Sequence, residues 1–553
     1  MTQYHLVVLV HGLWGNTSHF DYIVDALSDH ADRHWCDEKN QLLVYTTTLN
    51  EGFRTYDGID VCGFRVAEEI ANKIDSLEGT ASQITKFSLV GYSLGGLIAR
   101  YALGLLYKKG FFEKRSIELI NFTTFCTPHV GVLAPGKNVA VNVFNGIVPW
   151  LLGSSGRQMF LKDSVRNHGL NAKDEPLIYL MSHEDSVFFK GLQSFRNKTL
   201  YANVINDKRT AWWTAGISLN DPFFDINEFN GARVFQYVPG YETVVVDRDQ
   251  PIVISKVQSS KDVEDAMLRN IGTDSNADEQ LHDFFFLNYW FAKLCRWIVV
   301  ICNLCVIAPS ILVWKVAQSS MEMTISAVRV TRFLNNYSTQ LLQDFFAISA
   351  PAPLSAQGNA IENPSSDFDD ADNIDADDVN RCENELINIQ PSLSGSSSLR
   401  SIQTQNTNNY NVLGESLNDQ ADHLMESIYD AIERKNIHAG FLQESPSGNG
   451  VGRLEDNALV VSIRELEGQT TEQLNSAHGP DMGELIDNLH LDISPRQVDI
   501  IRSLNKIHWR KYPIYIRKTP WAHACAVVRQ QDPHFEEGKV VVKHWIEKGF
   551  QIA

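Results

Sequence analysis

Short apolar runs separated by helical stretches organise the first half of the chain. Leu6–Val10, Leu42–Thr48, Lys86–Val90, Ile117–Phe125 and Thr199–Ile205 are rich in Val, Ile, Leu and Phe and read as buried strands. Between them apolar residues recur at helical spacing. Phe64, Ala67, Ile70, Ile74 and Leu77 form one stripe, and Leu97, Tyr101, Leu105 and Leu106 form another. A helix is expected to start at Ser18, with Asp21 three residues on as a capping box. Strands alternating with helices predict an α/β fold whose mostly parallel sheet is covered on both faces.

Beyond residue 260 the pattern breaks. Residues 284–317 carry an aromatic run, Phe284–Phe291, and then Trp297–Trp314 without a charge. Eighteen residues would span about 27 Å as a helix, against a hydrocarbon core of about 30 Å. Trp at both ends and Lys293, Arg296 and Lys315 suit interfacial anchoring, while Asn303 and Pro309 oppose a straight span. A monotopic hairpin anchor, a spanning helix and a buried helix or lid all remain open. From 351 to 480 the chain turns acidic and Ser/Asn-rich, with seven aspartates between Asp367 and Asp378. Such a segment buries too little apolar surface to offset its chain entropy and is expected to be largely disordered. Within it, 417–432 has one helical stripe. Order is expected again after 480, where Ser494-Pro495 reads as a helix start, Tyr512–Ile516 as a strand and Glu536–Gly549 as a closing helix. Four regions follow: a core at 1–260, a hydrophobic anchor at 284–350, the acidic insertion at 351–480, and completion of the core at 481–553.

The candidate chemistry lies in two glycine-rich turns. Gly91-Tyr92-Ser93-Leu94-Gly95 sits between a strand pattern and a helix pattern, the context of a nucleophile elbow. Gly91 and Gly95 allow the tight turn, and Ser93 is the expected nucleophile of an α/β-hydrolase fold. His11-Gly12-Leu13 follows the first strand. In such a fold this loop and the residue after the nucleophile supply the oxyanion donors, here the N–H groups of Leu13 and Leu94. His11 is expected to order the loop. The acid should follow a late strand, and Asp207 ends Leu200–Ile205 in that position, with Asp185 and Asp221 as rivals. The general base should come last. His523 follows the final strand pattern, whereas His508 comes too early and His534 and His544 lie in or beside the terminal helix. More than 300 residues then separate acid from base. Residues 139–152 are a further apolar stretch, expected to pack in the core and otherwise to act as a lid.

With these residues in view, the chain resembles the serine-esterase family of lipase-like eukaryotic proteins, whose fungal members include a lipid-droplet phospholipase. The resemblance runs through His5–Phe20, Lys86–Tyr107, Ile120–Gly131 with Cys126-Thr127-Pro128-His129, Thr199–Thr214, His523–Arg529 and Glu536–Trp545. It implies hydrolysis of a glycerophospholipid or acylglycerol at a membrane or lipid-droplet surface and supports Ser93, Asp207 and His523 by position. His129 belongs to the shared motif and is read as structural. The acidic insertion has no counterpart in the resemblance. A lipid acyltransferase with the same triad, or an inactive lipid-binding scaffold, are the alternatives.

Composition narrows the partners. A formal charge of −19 and the lack of a basic stripe exclude a phosphate-backbone partner. Eight scattered cysteines lack zinc-ligand spacing and suit a reducing compartment; neither metal nor cofactor is expected. No cleavable signal precedes the first strand. The expected location is therefore the cytoplasmic face of the endoplasmic reticulum or a lipid droplet, without secretion. Protein partners are not legible.

Overall fold

A computed structural model describes residues 2–254 and 459–552, apart from 38, 79–81, 137–138, 166–173, 208, 224–235 and 480–481, together with 317, 318 and 320–331. All of them fall in the larger of two units, 1–348 with 425–553. The hydrophobic run 297–314 and the helical stripe 417–432 lie outside the described residues.

Six parallel strands form the main sheet. They are β1 (Thr2–Val10), β2 (Asn40–Thr46), β3 (Ser82–Tyr92), β4 (Glu118–Phe125), β5 (Asn197–Asn203) and, beyond a short pair, β8 (Arg510–Ile514). Their order across the sheet is β2-β1-β3-β4-β5-β8. Successive side chains of a strand point to opposite faces, so an all-apolar strand feeds two cores. In β1, Leu6, Val8 and Val10 enter one core while Val7 and Leu9 enter the other. In β5, Leu200 and Ala202 face the first and Tyr201 the second. The first core is closed by α2 (Ile59–Leu77) and α3 (Leu94–Lys108); α1 (Asp21–His34) and the terminal helix Glu536–His544 close the second. This is an α/β-hydrolase-type fold.

Two expectations need correction. The helix expected from Ser18 begins instead with a 3-10 turn, Thr17–Phe20, capped by Asn16, whose side chain accepts the Ser18 N–H; α1 starts only at Asp21. Ser18 spends its own hydroxyl on Asn16 Oδ1, at 2.6 Å, so Asp21 has no capping partner there.

The insertion also ends earlier than its composition does. Within the span assigned to it, β7 (Leu459–Ser462) pairs antiparallel with β6 (Pro251–Ile254), and helices follow at Ile463–Gly468 and Thr471–His478. These elements are fastened to the hydrolase core by buried polar groups. Asn220 Nδ2 donates to Leu466 O and Gln469 O, and Lys511 Nζ on β8 pairs with Glu467 at 3.0 Å. Leu459, Val461, Ile463, Leu466 and Leu474 are buried in the first core. Composition averages over such a stretch, whereas burial depends on which few apolar residues find a wall.

Among the described contacts, Arg329 ties helical residues 320–331 to the core. Asp57, with no exposed side-chain surface, takes a two-pronged contact from Arg329, Nε at 2.9 Å and Nη2 at 2.8 Å, and a third from Arg65 Nη2 at 2.8 Å. A planar guanidinium matches a carboxylate in this forked geometry. No described helix is long and apolar enough to cross a membrane.

Candidate active site

The chain enters the elbow from β3 and leaves it as α3, with Ser93 at the N-cap. Ser93 has φ 55° and ψ −131°, a conformation that side chains rarely adopt. From Phe87 to Leu106 every residue is buried except Ser93. The strain therefore turns the one hydroxyl outward from a solid core. Small neighbours are obligatory: a Cβ on Gly95 would lie 2.1 Å from Val10 O, and one on Gly91 would lie 2.3 Å from Gly96 Cα. Ser93 N–H donates to Phe125 O at 2.9 Å, which pins the turn to β4.

The loop after β1 lies directly on the nucleophile. A Cβ at Gly12 would meet Ser93 Cβ at 2.6 Å and Oγ at 3.2 Å. Trp14 N–H is taken by Thr55 Oγ1 at 3.1 Å and Gly15 N–H by Gly12 O at 3.0 Å. Among the described residues the N–H groups of Leu13 and Leu94 have no protein acceptor. Leu94 follows Ser93 in the chain and Leu13 follows Gly12, which packs against Ser93, the place where an oxyanion needs donors. His11 is fully enclosed, its Nδ1 3.1 Å from Gly12 O, and burial lowers its pKa; it braces the loop as a neutral ring.

Asp207 and His523 meet because β5 and β8 are neighbours. Asn203 pairs with Ile514 in register, and the chain continues beyond both strand ends toward the same side of the sheet. His523 Nδ1 lies 2.9 Å from Asp207 Oδ2 and 3.1 Å from Oδ1, across 316 residues of sequence. Their side chains are only 5% and 2% exposed. Burial alone would raise the Asp207 pKa. The imidazole beside it and hydrogen bonds from His523, Asn203 and Thr210 N–H outweigh that and hold the carboxyl below its ordinary value. The pair is tied to the nucleophile by Tyr92, whose hydroxyl donates to His523 O at 3.1 Å. Ser93 Oγ makes no hydrogen bond among the described residues. Serine–base contacts commonly tighten only when substrate binds.

The rival residues lie elsewhere. Asp185 is exposed beside His183, and Asp221 accepts Phe223 N–H two residues on. His508 and His534 are exposed, and His544 is buried with its Nδ1 2.8 Å from the Tyr201 hydroxyl. His129 sits against Thr124 Oγ1 at 2.9 Å and Trp509, in the core.

Three supporting residues escaped the sequence reading. Asn203 Nδ2 donates to Asp207 Oδ2 at 2.9 Å, Cys126 lies 3.2 Å from the same amide nitrogen, and Tyr92 holds the His523 backbone. Cys126 and Tyr92 act across segments far apart in the chain, which no local spacing marks, whereas Asn203 lies only four residues before Asp207 and its spacing could have pointed to it. Burial, then the Asp207 charge, pushes the Cys126 thiol well above its usual pKa, so it stays protonated. Cys126, Asp207 and His523 also bring ligand-type atoms within 4.8 Å of one another, the described group that could hold a metal ion. Replacing Asn203 by Ala should lower kcat about 10- to 100-fold with KM little changed, because a hydrogen bond to a charged group is worth about 1.5–3 kcal/mol. Steady-state kinetics on a soluble ester check this; a change in KM alone would remove Asn203 from the positioning of Asp207.

Fold and site together have the layout of the α/β-hydrolase type, with a serine at the elbow and a buried carboxylate–histidine pair beside it. Residues 1–218 match the family described as "Putative serine esterase (DUF676)". Two Saccharomyces cerevisiae proteins are similar: "Putative lipase YDL109C", 31% identical over 37% of this chain and 28% of its own length, and "Putative lipase ROG1", 30% identical over 40% and 29%. The chain thus spans under a third of the length of these relatives. Among solved structures, the phospholipase PlaB from Legionella pneumophila is a distant likeness, with a TM-score of 0.25 and 12% identity over 40% of this chain and 42% of that one.

Proposed function

We propose that this protein hydrolyses an ester bond of a glycerophospholipid or acylglycerol at a lipid surface, through an acyl-serine intermediate. The observation that carries the reading is the Asp207–His523 pair, buried and held by the hydroxyl of Tyr92, the residue next to the outward-facing Ser93. His523 Nε2 takes the Ser93 proton as Oγ attacks the ester carbonyl, and the ring's Nδ1–H stays on Asp207. The carbonyl oxygen, now negative, is held by the Leu13 and Leu94 N–H groups. As the intermediate collapses, His523 returns the proton to the leaving alcohol. Water then releases the fatty acid by the same route in reverse. The lipid substrate is supported by the names of the relatives and by the uncharged run 297–314. A place at the cytoplasmic face of the endoplasmic reticulum or of lipid droplets belongs to the same proposal.

The full chain should react with a fluorophosphonate probe at Ser93, mapped by peptide mass spectrometry. It should release free fatty acid from phospholipid or acylglycerol whether or not an acceptor alcohol is added. Transfer of the acyl group to that alcohol would make it an acyltransferase. Absence of both labelling and turnover would leave an inactive scaffold.

A further inference from the structure

Helix Val139–Leu151 is apolar on both sides. Its inner face buries Val141, Phe144 and Val148, as a core helix would. Its outer face leaves Val139, Val143, Ile147 and Trp150 exposed, from 52% to 79%, at the spacing of one helical stripe. The expectation that this stretch simply packs in the core accounts for half of it. Helical residues 320–331 carry a second stripe, Met321, Ile325 and Val328, also exposed. These seven are most of the ten large apolar residues left exposed among the described residues, so they are not a random scatter.

Both helices are moored to the same short segment. Ser155, in the helix following the first, donates to Thr55 O at 2.5 Å and accepts from Gly58 N–H at 3.1 Å. The second is held by the Arg329–Asp57 pair. That segment, Gly52–Gly58, also touches the oxyanion loop through Trp14 N–H to Thr55 Oγ1 and Gly52 N–H to Gly15 O. The exposed stripes are therefore attached to the rim of the site.

We propose that these two helices form a docking face for a neutral phospholipid surface, seating the site rim on the lipid; this rests on the lipid-ester reading above. Three features select that occupant. Residues 138–156 contain no charged residue, and thirteen helical residues are too few to span a bilayer, which leaves an interfacial helix. Trp150 is 58% exposed, with Arg157 6.0 Å from its ring centroid, a pairing suited to the headgroup level. Helical residues 320–331 begin six residues after the uncharged run 297–314, so the two apolar stretches are close in the chain. A net charge of −19 with no basic cluster on these helices disfavours an anionic surface.

The test uses the full chain and phosphatidylcholine vesicles, with Val143→Glu/Ile147→Glu and Trp150→Phe variants. Wild type should float with the vesicles in low salt and in about 0.5 M NaCl alike. Brominated phosphatidylcholine should quench a component of the tryptophan emission that Trp150→Phe lacks. The double variant should lose roughly ten-fold or more in turnover of vesicle substrate while keeping its rate on a soluble short-chain ester. The proposal is overturned if wild type does not float, if Trp150 is not quenched in protein that does, or if the double variant turns over vesicle substrate like wild type. It is overturned too if the double variant converts a lipid-free dimer to a monomer, which would make the face a self-association surface. Vesicle docking without hydrolysis of any ester would sink the catalytic reading and leave the docking face standing.

Discussion

Ser93→Ala is expected to abolish ester hydrolysis, by roughly 10³-fold or more, while leaving the melting temperature unchanged. Members of a triad act as one unit, so Asp207→Asn or His523→Ala should cost nearly as much, and adding either to Ser93→Ala should cost almost nothing further. Ser93→Gly separates chemistry from strain. The φ of 55° with ψ −131° that Ser93 is forced to adopt costs about 1–3 kcal/mol in a residue with a Cβ. Glycine relieves that, and gives back about 0.4–1 kcal/mol through the freer unfolded chain. Relief wins, so Ser93→Gly should be as dead as Ser93→Ala yet more stable by about 1 kcal/mol. Kinetics on a soluble ester and denaturant titration of both variants provide the check. Substantial activity in folded Ser93→Ala would end the assignment of the nucleophile, and a less stable Ser93→Gly would end the claim of stored strain.

The fold should be acid-labile well above the range where carboxylates titrate. His5 is buried between strands, its Nε2 2.7 Å from Ser88 Oγ, and burial, assisted by the Lys86 charge, lowers its pKa from 6.5 to about 3. Burial first, then Arg510 and Lys548, lowers His544 to about 4. Burial pushes His11, His19 and His129 the same way. In each case the folded value lies below the unfolded one, so the stability contribution is complete above about pH 6.5 and is lost as the pH falls. Each such group contributes about 1.4 kcal/mol per pH unit across that window. His5 and His544 alone cost about 5 kcal/mol between about pH 6.5 and 4.5, and Asp163, whose carboxyl burial pushes up to about 7, offsets about half of that with the opposite sign, leaving a net loss that still counts against a whole stability of about 5–15 kcal/mol. The Asp207 contribution follows the same sign but in a lower window. It is complete above the ordinary carboxylate value of 3.8 and lost below it, beneath the window in which the histidines act. Denaturant titrations at about pH 7, 6 and 5 should show the midpoint falling steadily, and His5→Gln should flatten that slope. A midpoint constant down to about pH 4.5 would mean that these rings are not held neutral in the core.

The elbow was legible in sequence because its constraint is local. Five residues must reverse the chain between a strand and a helix, and only Gly91 and Gly95 leave room beside Ser93. The loop at Gly12 was legible by its place after the first strand, although the atoms that demand a glycine there belong to Tyr92 and Ser93, some eighty residues on. Asp207 and His523 could be chosen as residues that follow late strands, but their contact depends on β8 returning to the edge of β5 from the far side of a long excursion. Which strand borders which is decided by the packing of the whole sheet, and no window of sequence contains it.

The same limit explains what sequence did not reveal. Cys126 and Tyr92 support the pair from segments far away in the chain, and nothing in their own surroundings sets them apart from other buried residues. Composition placed 459–479 with the acidic insertion, whereas Glu467 and a handful of apolar side chains bind it to the core. Helix Val139–Leu151 has apolar residues on opposite sides, so periodicity could not say which side the protein would cover. By itself, then, the sequence determined the α/β alternation, the serine and its two glycine-rich turns, all of them short-range consequences of residue size and period. Tertiary structure alone decided which carboxylate meets which histidine, what braces them, and which apolar face is left outside, because those outcomes depend on contacts between segments that the chain holds far apart.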